Sequence, residues 1–275
     1  MTGVQTCALP ILALSATIIG IVGLRIEESM QDKVVIVTGG SRGIGASIVK
    51  TLARKGYNII LNYNKSEKIA EQIKKELEEE KITIYTYKAD VSNREEARGL
   101  IEFAIEKFKK IDVLINNAGI SQMKLFTDIT DTEWNDMLNI NLNSAFYCTQ
   151  EATKHMLINK EGCIINISSI WGITGASCEV HYSTAKAALN GFTKALAKEL
   201  GPSNIRVNAI APGMIDTDMN KDIPEQDKQD FIQEIPLEKI GKTEDISKCI
   251  EWLIEDRSEE RRVGKECRSR WSPYH

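Results

Sequence analysis

A single doubly wound α/β domain on a parallel sheet is what this sequence predicts, from three observations. Short apolar runs alternate with amphipathic segments along the chain, the order of consecutive βαβ units. The runs are almost continuously apolar, as in strands covered on both faces, rather than alternating as in strands half exposed to water. A glycine-rich turn joins the first run directly to the first helical segment.

Taken in order, the predicted strands are Lys33–Thr38, Asn58–Asn62, Thr83–Lys88, Val113–Asn116, Cys163–Ile167 and Arg206–Ile210. Apolar residues at helical spacing predict helices over Ile44–Lys55, Ser66–Glu80, Arg94–Lys109, Thr132–Asn159, Ser183–Leu200 and Asp245–Ile254. No repeat or interdomain linker interrupts the pattern, and the charge run Lys74–Lys81 reads as a solvated helix face.

A formal net charge of −4, without a long basic patch, argues against nucleic acid as a partner. The six cysteines form no CxxC pair and keep no ligand spacing with histidine, so reduced thiols, no metal and a cytoplasmic location are expected.

The two ends depart from the pattern. Met1–Ile11 and Arg257–His275 each resemble the conceptual translation of a sequencing adapter, and the tail carries nine charged residues among nineteen. The apolar run Leu12–Leu24 spans 13 residues, short of the roughly 20 that cross a bilayer, and no positive segment precedes it. Glu27–Met30 reads as a translated ribosome-binding site before the true start. The expectation is therefore an artefactual or untranslated segment over 1–29, a reductase-type domain over 30–256 truncated before its last strand, an adapter-derived tail over 257–275, and no membrane anchor.

The turn after the first strand reads Thr38-Gly39-Gly40-Ser41-Arg42-Gly43-Ile44-Gly45. Glycines there permit a tight turn and a close backbone approach to a pyrophosphate, whose charge the following helix N-terminus stabilises. Gly39, Ser41, Gly43, Ile44 and Gly45 are thus candidate dinucleotide ligands of a Rossmann domain. The second strand ends in Asn62-Tyr63-Asn64-Lys65, without the carboxylate that takes the ribose hydroxyls of NAD. Arg42 in the loop offers a guanidinium to a 2′-phosphate, assisted by Asn62 and Lys65, so NADP(H) is the expected cofactor.

The loop's TGxxxGxG spacing resembles that of the short-chain dehydrogenases/reductases, and the resemblance extends over Met30–Asp256. It implies an adenine-edge contact at Asp90 and Val91, a sheet-stabilising segment at Asn116-Asn117-Ala118-Gly119, and a nicotinamide clasp at Pro212, Gly213, Ile215 and Thr217.

The strongest chemical signal is Tyr182-Ser183-Thr184-Ala185-Lys186, which sets a phenol and an amine one helical turn apart. A phenol with pKa near ~10 is a poor acid at neutral pH, and a neighbouring ammonium is expected to lower it. Ser169 lies thirteen residues before the tyrosine at a strand end, and Asn141 lies forty-one before it. These spacings match the family's Asn–Ser–Tyr–Lys tetrad. The resemblance implies that Tyr182 protonates a carbonyl oxygen and Ser169 polarises it. Lys186 holds the nicotinamide ribose and tunes Tyr182, and Asn141 supports a water relay. His155 reads as a surface residue; His181, beside the tyrosine, has no metal-ligand spacing.

Overall the chain is most similar to the 3-oxoacyl-[acyl-carrier-protein] reductase group, which implies a ketone carried on acyl carrier protein. The segments Gly119–Phe126 and Trp171–Tyr182 resemble elongation factor P 5-aminopentanone reductases, which implies a ketone on a lysine of elongation factor P. Glu179, three residues before Tyr182, is expected at the substrate mouth, where it favours a cationic or amide-rich partner. The family's habit implies a dimer or tetramer through Thr132–Asn159 and Ser183–Leu200. A dinucleotide-binding scaffold without activity stays open, although it has no need of an intact tetrad.

Overall fold

The computed structural model describes residues 33–220, 225–235 and 237–255. The expectations for 1–29 and 257–275 lie outside the described residues. Six parallel strands form one sheet in the order β3-β2-β1-β4-β5-β6: β1 (Val34–Val37), β2 (Asn58–Tyr63), β3 (Tyr85–Lys88), β4 (Val113–Asn116), β5 (Gly162–Ile167) and β6 (Ile205–Ile210). The chain winds outward from β1 to β3, crosses to β4 and winds outward again to β6. The loops after β1 and β4 therefore part at the carboxyl edge, opening the crevice in which such sheets bind ligands.

The helices are α1 (Gly43–Arg54), α2 (Glu67–Glu79), α3 (Arg94–Phe108), α4 (Asp131–Leu138), α5 (Ser144–Asn159), the short α6 (Trp171–Thr174), α7 (Val180–Leu200), α8 (Glu225–Glu234) and α9 (Thr243–Ile254). They cover both faces because strand side chains alternate between them. Val35, Val37, Ile59, Leu61 and Ile165 pack against α1, α2 and α9 on one side. Ile36, Ile60, Leu114 and Ile164 meet α3 and α5 on the other. Complete burial of β1, β4 and β5 explains their continuous apolar sequences.

Several boundaries differ from the sequence expectation, each for a local reason. β3 is not a covered apolar strand: it is an edge, pairs only with β2 among the described residues, and shows partial exposure along YTYK. The helix expected over Thr132–Asn159 is broken by a π turn at Asn139–Asn143. There the side chains of Asn141 and Ser144 donate to the carbonyls of Met137 (3.1 Å) and Ile140 (2.6 Å), so the widened turn is satisfied locally. Helix α7 starts at Val180 instead of Ser183, which draws Tyr182 into its first turn. Helix α8, strongly polar over EQDKQDFIQE, carried no clear apolar period and was not expected.

Candidate active site

The glycine loop is built by contacts that a Cβ would forbid. Gly39 adopts φ +62°, a left-handed conformation that glycine accepts without strain. A Cβ on Gly45 would lie 2.3 Å from the Gly39 carbonyl oxygen and 2.6 Å from Asn117 Nδ2, so α1 can pack against the turn only through a glycine. The loop is tied to its neighbours through polar groups. Thr38 Oγ1 accepts from the backbone N–H of Asn117 and of Ala118, both at 3.0 Å. Asn117 Nδ2 donates to the carbonyls of Thr38 (2.9 Å) and Gly39 (3.1 Å).

Asn62 has a related task. Buried at 1% exposure, it accepts from Gly39 N at 3.2 Å and donates to the Ala89 carbonyl at 3.0 Å. Its amide thus pins the loop to the end of β3, and the exposed Arg42 and Lys65 are the cations left facing outward here. Asp90 accepts from Ser92 N (3.0 Å) and Ser92 Oγ (2.6 Å). Burial raises its pKa, but hydrogen bonds from Ser92 and Asn64 with the charge of Lys65 outweigh that, and the carboxyl sits below its usual range.

At the same sheet edge Ser168 and Ser169 follow the end of β5, and α7 runs alongside. Ser169, Tyr182 and Lys186 are 7%, 9% and 4% exposed, and all face one cleft. Ser169 Oγ accepts from Trp171 N at 3.2 Å and engages the Tyr182 phenol. Lys186 Nζ donates to the Ile167 carbonyl at 2.8 Å and lies 5.7 Å from the Tyr182 ring centre. Asn141 lies behind them, with Oδ1 accepting from Ile120 N (3.2 Å) and Nδ2 donating to the Ile120 carbonyl (3.0 Å).

The electrostatics depart from the sequence expectation. Burial raises the Tyr182 pKa above its usual value; the Ser169 hydrogen bond opposes this and the charge of Glu179 adds to it. The expected lowering by the Lys186 ammonium is absent: Nζ is turned to the Ile167 carbonyl, 5.7 Å from the Tyr182 ring centre, and removal of the phenol from water dominates. Burial also brings the pKa of Lys186 itself down to about 8.

Every site residue predicted from the sequence except Gly45 lines one cleft of about 690 Å³; Gly45 stands behind it, against Gly39. Pro212, Gly213, Ile215 and Thr217 close one side, and a Cβ on Gly43 would touch Thr217 Cγ2 at 3.4 Å. Helix α1 begins with no side-chain cap and no acidic residue in its first turn, so its free N–H groups face the cleft without a competing anion. A glycine cradle, an uncapped helix start and two exposed cations fit a dinucleotide phosphate.

The sequence missed part of the substrate side. Trp171 and Phe231, with ring centres 6.2 Å apart, line the cleft, but Phe231 belongs to the helix that carried no period. Glu179 does reach the cleft, and its Oε2 is buried without a hydrogen-bond partner. Burial holds its carboxyl above the usual range. His181, fully buried, bonds Gln122. Among the described residues no cluster could hold a metal ion, and no helix is long and apolar enough to cross a membrane.

The sequence model of the short chain dehydrogenase family matches residues 33–228. The chain is 37% identical over 228 residues to the 3-oxoacyl-[acyl-carrier-protein] reductase FabG of Staphylococcus aureus, covering 83% of this chain and 93% of that one. It is also 37% identical over 229 residues to the uncharacterized oxidoreductase YmfI of Bacillus subtilis, with the same two coverages. The solved structure of gox2181 superposes with a TM-score of 0.79 at 28% identity, over 85% of this chain and 94% of the other. With the glycine loop, the tyrosine and the lysine meeting in one cleft, the chain belongs to the short-chain dehydrogenase/reductase family, as an NAD(P)-dependent oxidoreductase acting on CH–OH or C=O groups.

Proposed function

We propose that this protein reduces a ketone to an alcohol with NADPH, and that the ketone is a 3-oxoacyl group carried on acyl carrier protein. The observation that carries the proposal is that Ser169, Tyr182 and Lys186 line the same cleft as Arg42 and Lys65. Arg42, exposed and free of any neighbouring carboxylate in its loop, would take the 2′-phosphate with Lys65; Asn62 keeps the loop in place. Gly39, Ser41, Gly43 and Ile44 would hold the pyrophosphate, Asp90 and Val91 the adenine, and Asn117, Ala118 and Gly119 the adjoining ribose and nicotinamide side. Relatives named as 3-oxoacyl-[acyl-carrier-protein] reductases support the substrate.

A dinucleotide held by these residues would supply hydride to the carbonyl carbon. Tyr182 supplies the proton: its O–H bond breaks as the substrate oxygen gains hydrogen. A raised pKa keeps the phenol protonated at neutral pH, the form that reduction requires. Ser169 donates a hydrogen bond to the same oxygen and withdraws charge from it. Lys186 would hold the nicotinamide ribose and, still an ammonium at neutral pH with its pKa at about 8, stabilises the phenolate left on Tyr182. Asn141 fixes the Ile120 backbone on the far wall and supports the path by which Tyr182 regains its proton.

The buried, unpaired Oε2 of Glu179 favours a second reading, a ketone carried on a lysine of elongation factor P, because that carboxylate suits a cationic or amide-rich partner. In both readings the partner is a protein carrying a ketone, the location is cytoplasmic, and the enzyme is a dimer or tetramer. A non-catalytic scaffold would bind NADPH without consuming it.

The test is NADPH consumption with 3-oxoacyl-acyl carrier protein and with ketone-modified elongation factor P, for the parent and Tyr182→Phe. The parent should turn over the acyl carrier substrate. The variant should lose at least about 10²-fold in kcat with NADPH affinity nearly unchanged. Comparable kcat in the two proteins would refute the mechanism, and turnover of elongation factor P alone would replace the substrate.

A further inference from the structure

His181 precedes the catalytic tyrosine, is 0% exposed, and does not line the cleft. Its role is legible in a chain of hydrogen bonds that leaves α7 and ends in α4. His181 Nε2 lies 3.1 Å from Gln122 Oε1. Gln122 Nε2 donates to Glu133 Oε1 at 2.9 Å. Glu133 also accepts from Lys124 Nζ with both oxygens at 2.7 Å, from Thr130 N at 2.9 Å and from Thr130 Oγ1 at 2.8 Å. The bond from Thr130 N, with Glu133 N donating back to Thr130 Oγ1 at 3.3 Å, forms the capping box of α4.

The donors settle which ring nitrogen carries the proton. Lys124 holds the Glu133 carboxyl well below the usual carboxylate range, with Thr130 and Gln122 adding to the effect, so it only accepts. The Gln122 amide must therefore turn its NH2 toward Glu133 and its oxygen toward His181. That oxygen only accepts, so Nε2 carries the hydrogen and Nδ1 the lone pair. Nδ1 is buried without a partner, and a second proton there would find no acceptor among the described residues. Burial accordingly lowers the imidazole pKa, with Glu133 opposing and Lys124 assisting.

The segment held by this chain is the far wall of the cleft. Ile120, Ser121 and Met123 line it. Its backbone is tied at one end to Asn141 and at the other by Lys124 N donating to the Cys178 carbonyl at 2.7 Å. Between those ties Gln122 is gripped through its side chain, by His181 on one side and Glu133 on the other. We infer that His181 is a positioning residue that, through Nε2–H and Gln122, fixes the 120–124 strap against the catalytic helix and so sets the width of the substrate end of the cleft. The inference rests on the reductase reading of that cleft.

The test compares His181→Phe, His181→Gln, His181→Asn, Gln122→Met and the double variant His181→Phe/Gln122→Met. The probe is NADPH with a small β-keto thioester, acetoacetyl-N-acetylcysteamine. Hydrogen–deuterium exchange of the peptide containing residues 120–124 is followed in parallel. His181→Phe and Gln122→Met should each raise KM about fivefold or more with a smaller change in kcat. The double variant should be no worse than either, since both break one link. Gln reaches the Nε2 position with an N–H donor and should restore KM and strap protection; the shorter Asn should not. Gln122→Met alters a half-buried loop residue, so it reports on the link if the core substitution at 181 impairs folding. A loss confined to kcat, additive effects, or equal rescue by Asn and Gln would overturn the proposal. If no variant and no parent turns over the probe, the reductase reading fails, and strap protection still decides the role of His181.

Discussion

The burial of Lys186 has a measurable energetic consequence. The residue is 4% exposed, its Nζ donates to one carbonyl, and no carboxylate pairs with it among the described residues. Burial lowers its pKa from 10.5 to about 8, equivalent to about 3 kcal/mol against the charged form. The sign follows from proton counting. Between pH 8 and 10.5 the unfolded chain keeps a proton that the folded protein has released, so stability rises with pH across that window. Below it both states are protonated and the full penalty applies. Lys186→Met keeps the apolar stem and removes the titration. Its lost bond to Ile167 is an offset that does not vary with pH. Urea unfolding of the cofactor-free parent and variant should show the parent gaining about 3 kcal/mol relative to the variant between about pH 7.5 and 10.5. Run with Tyr182→Phe in both proteins, which removes the neighbouring phenol, the comparison cancels the titration of the remaining groups. A flat or falling difference would show that the ammonium is solvated or paired, and would refute the reasoning.

The other expectations test the cofactor end and the assembly. Arg42→Ala should weaken NADPH by about 2 kcal/mol while leaving NADH nearly unchanged, as a charge-assisted phosphate contact predicts; equal losses in fluorescence titrations would remove Arg42 from the phosphate site. Gly45→Ala forces a methyl to within 2.3 Å of a backbone oxygen, so urea unfolding should register a loss of about 1–3 kcal/mol and NADPH binding should weaken with it; wild-type stability would show that the turn yields freely. On α7, Ala187, Ala188, Gly191 and Ala195 are exposed, and Ile158 at the end of α5 is 78% exposed. An apolar helix pair of this kind predicts at least a dimer, and sedimentation as a strict monomer at micromolar concentration would contradict it.

Local rules made much of this protein legible before any coordinates. Buried parallel strands must be apolar along their whole length, which exposed β1, β4 and β5. The glycine loop is dictated by backbone geometry, so its residues announced themselves in order. The YxxxK spacing is a property of one helix and needs no tertiary knowledge. Packing decided the rest. β3 became an edge because nothing among the described residues covers its outer side. The π turn at Asn139–Asn143 interrupts what periodicity reads as one helix, because side chains there compete for the backbone carbonyls. The electrostatics of Tyr182 and Lys186 reversed the expectation because desolvation depends on every neighbour, and a linear spacing of four residues contains none of that. The same limit hid the His181–Gln122–Glu133 chain. Its partners lie 59 and 11 residues apart, and only folding brings an imidazole, an amide and a carboxylate into one line.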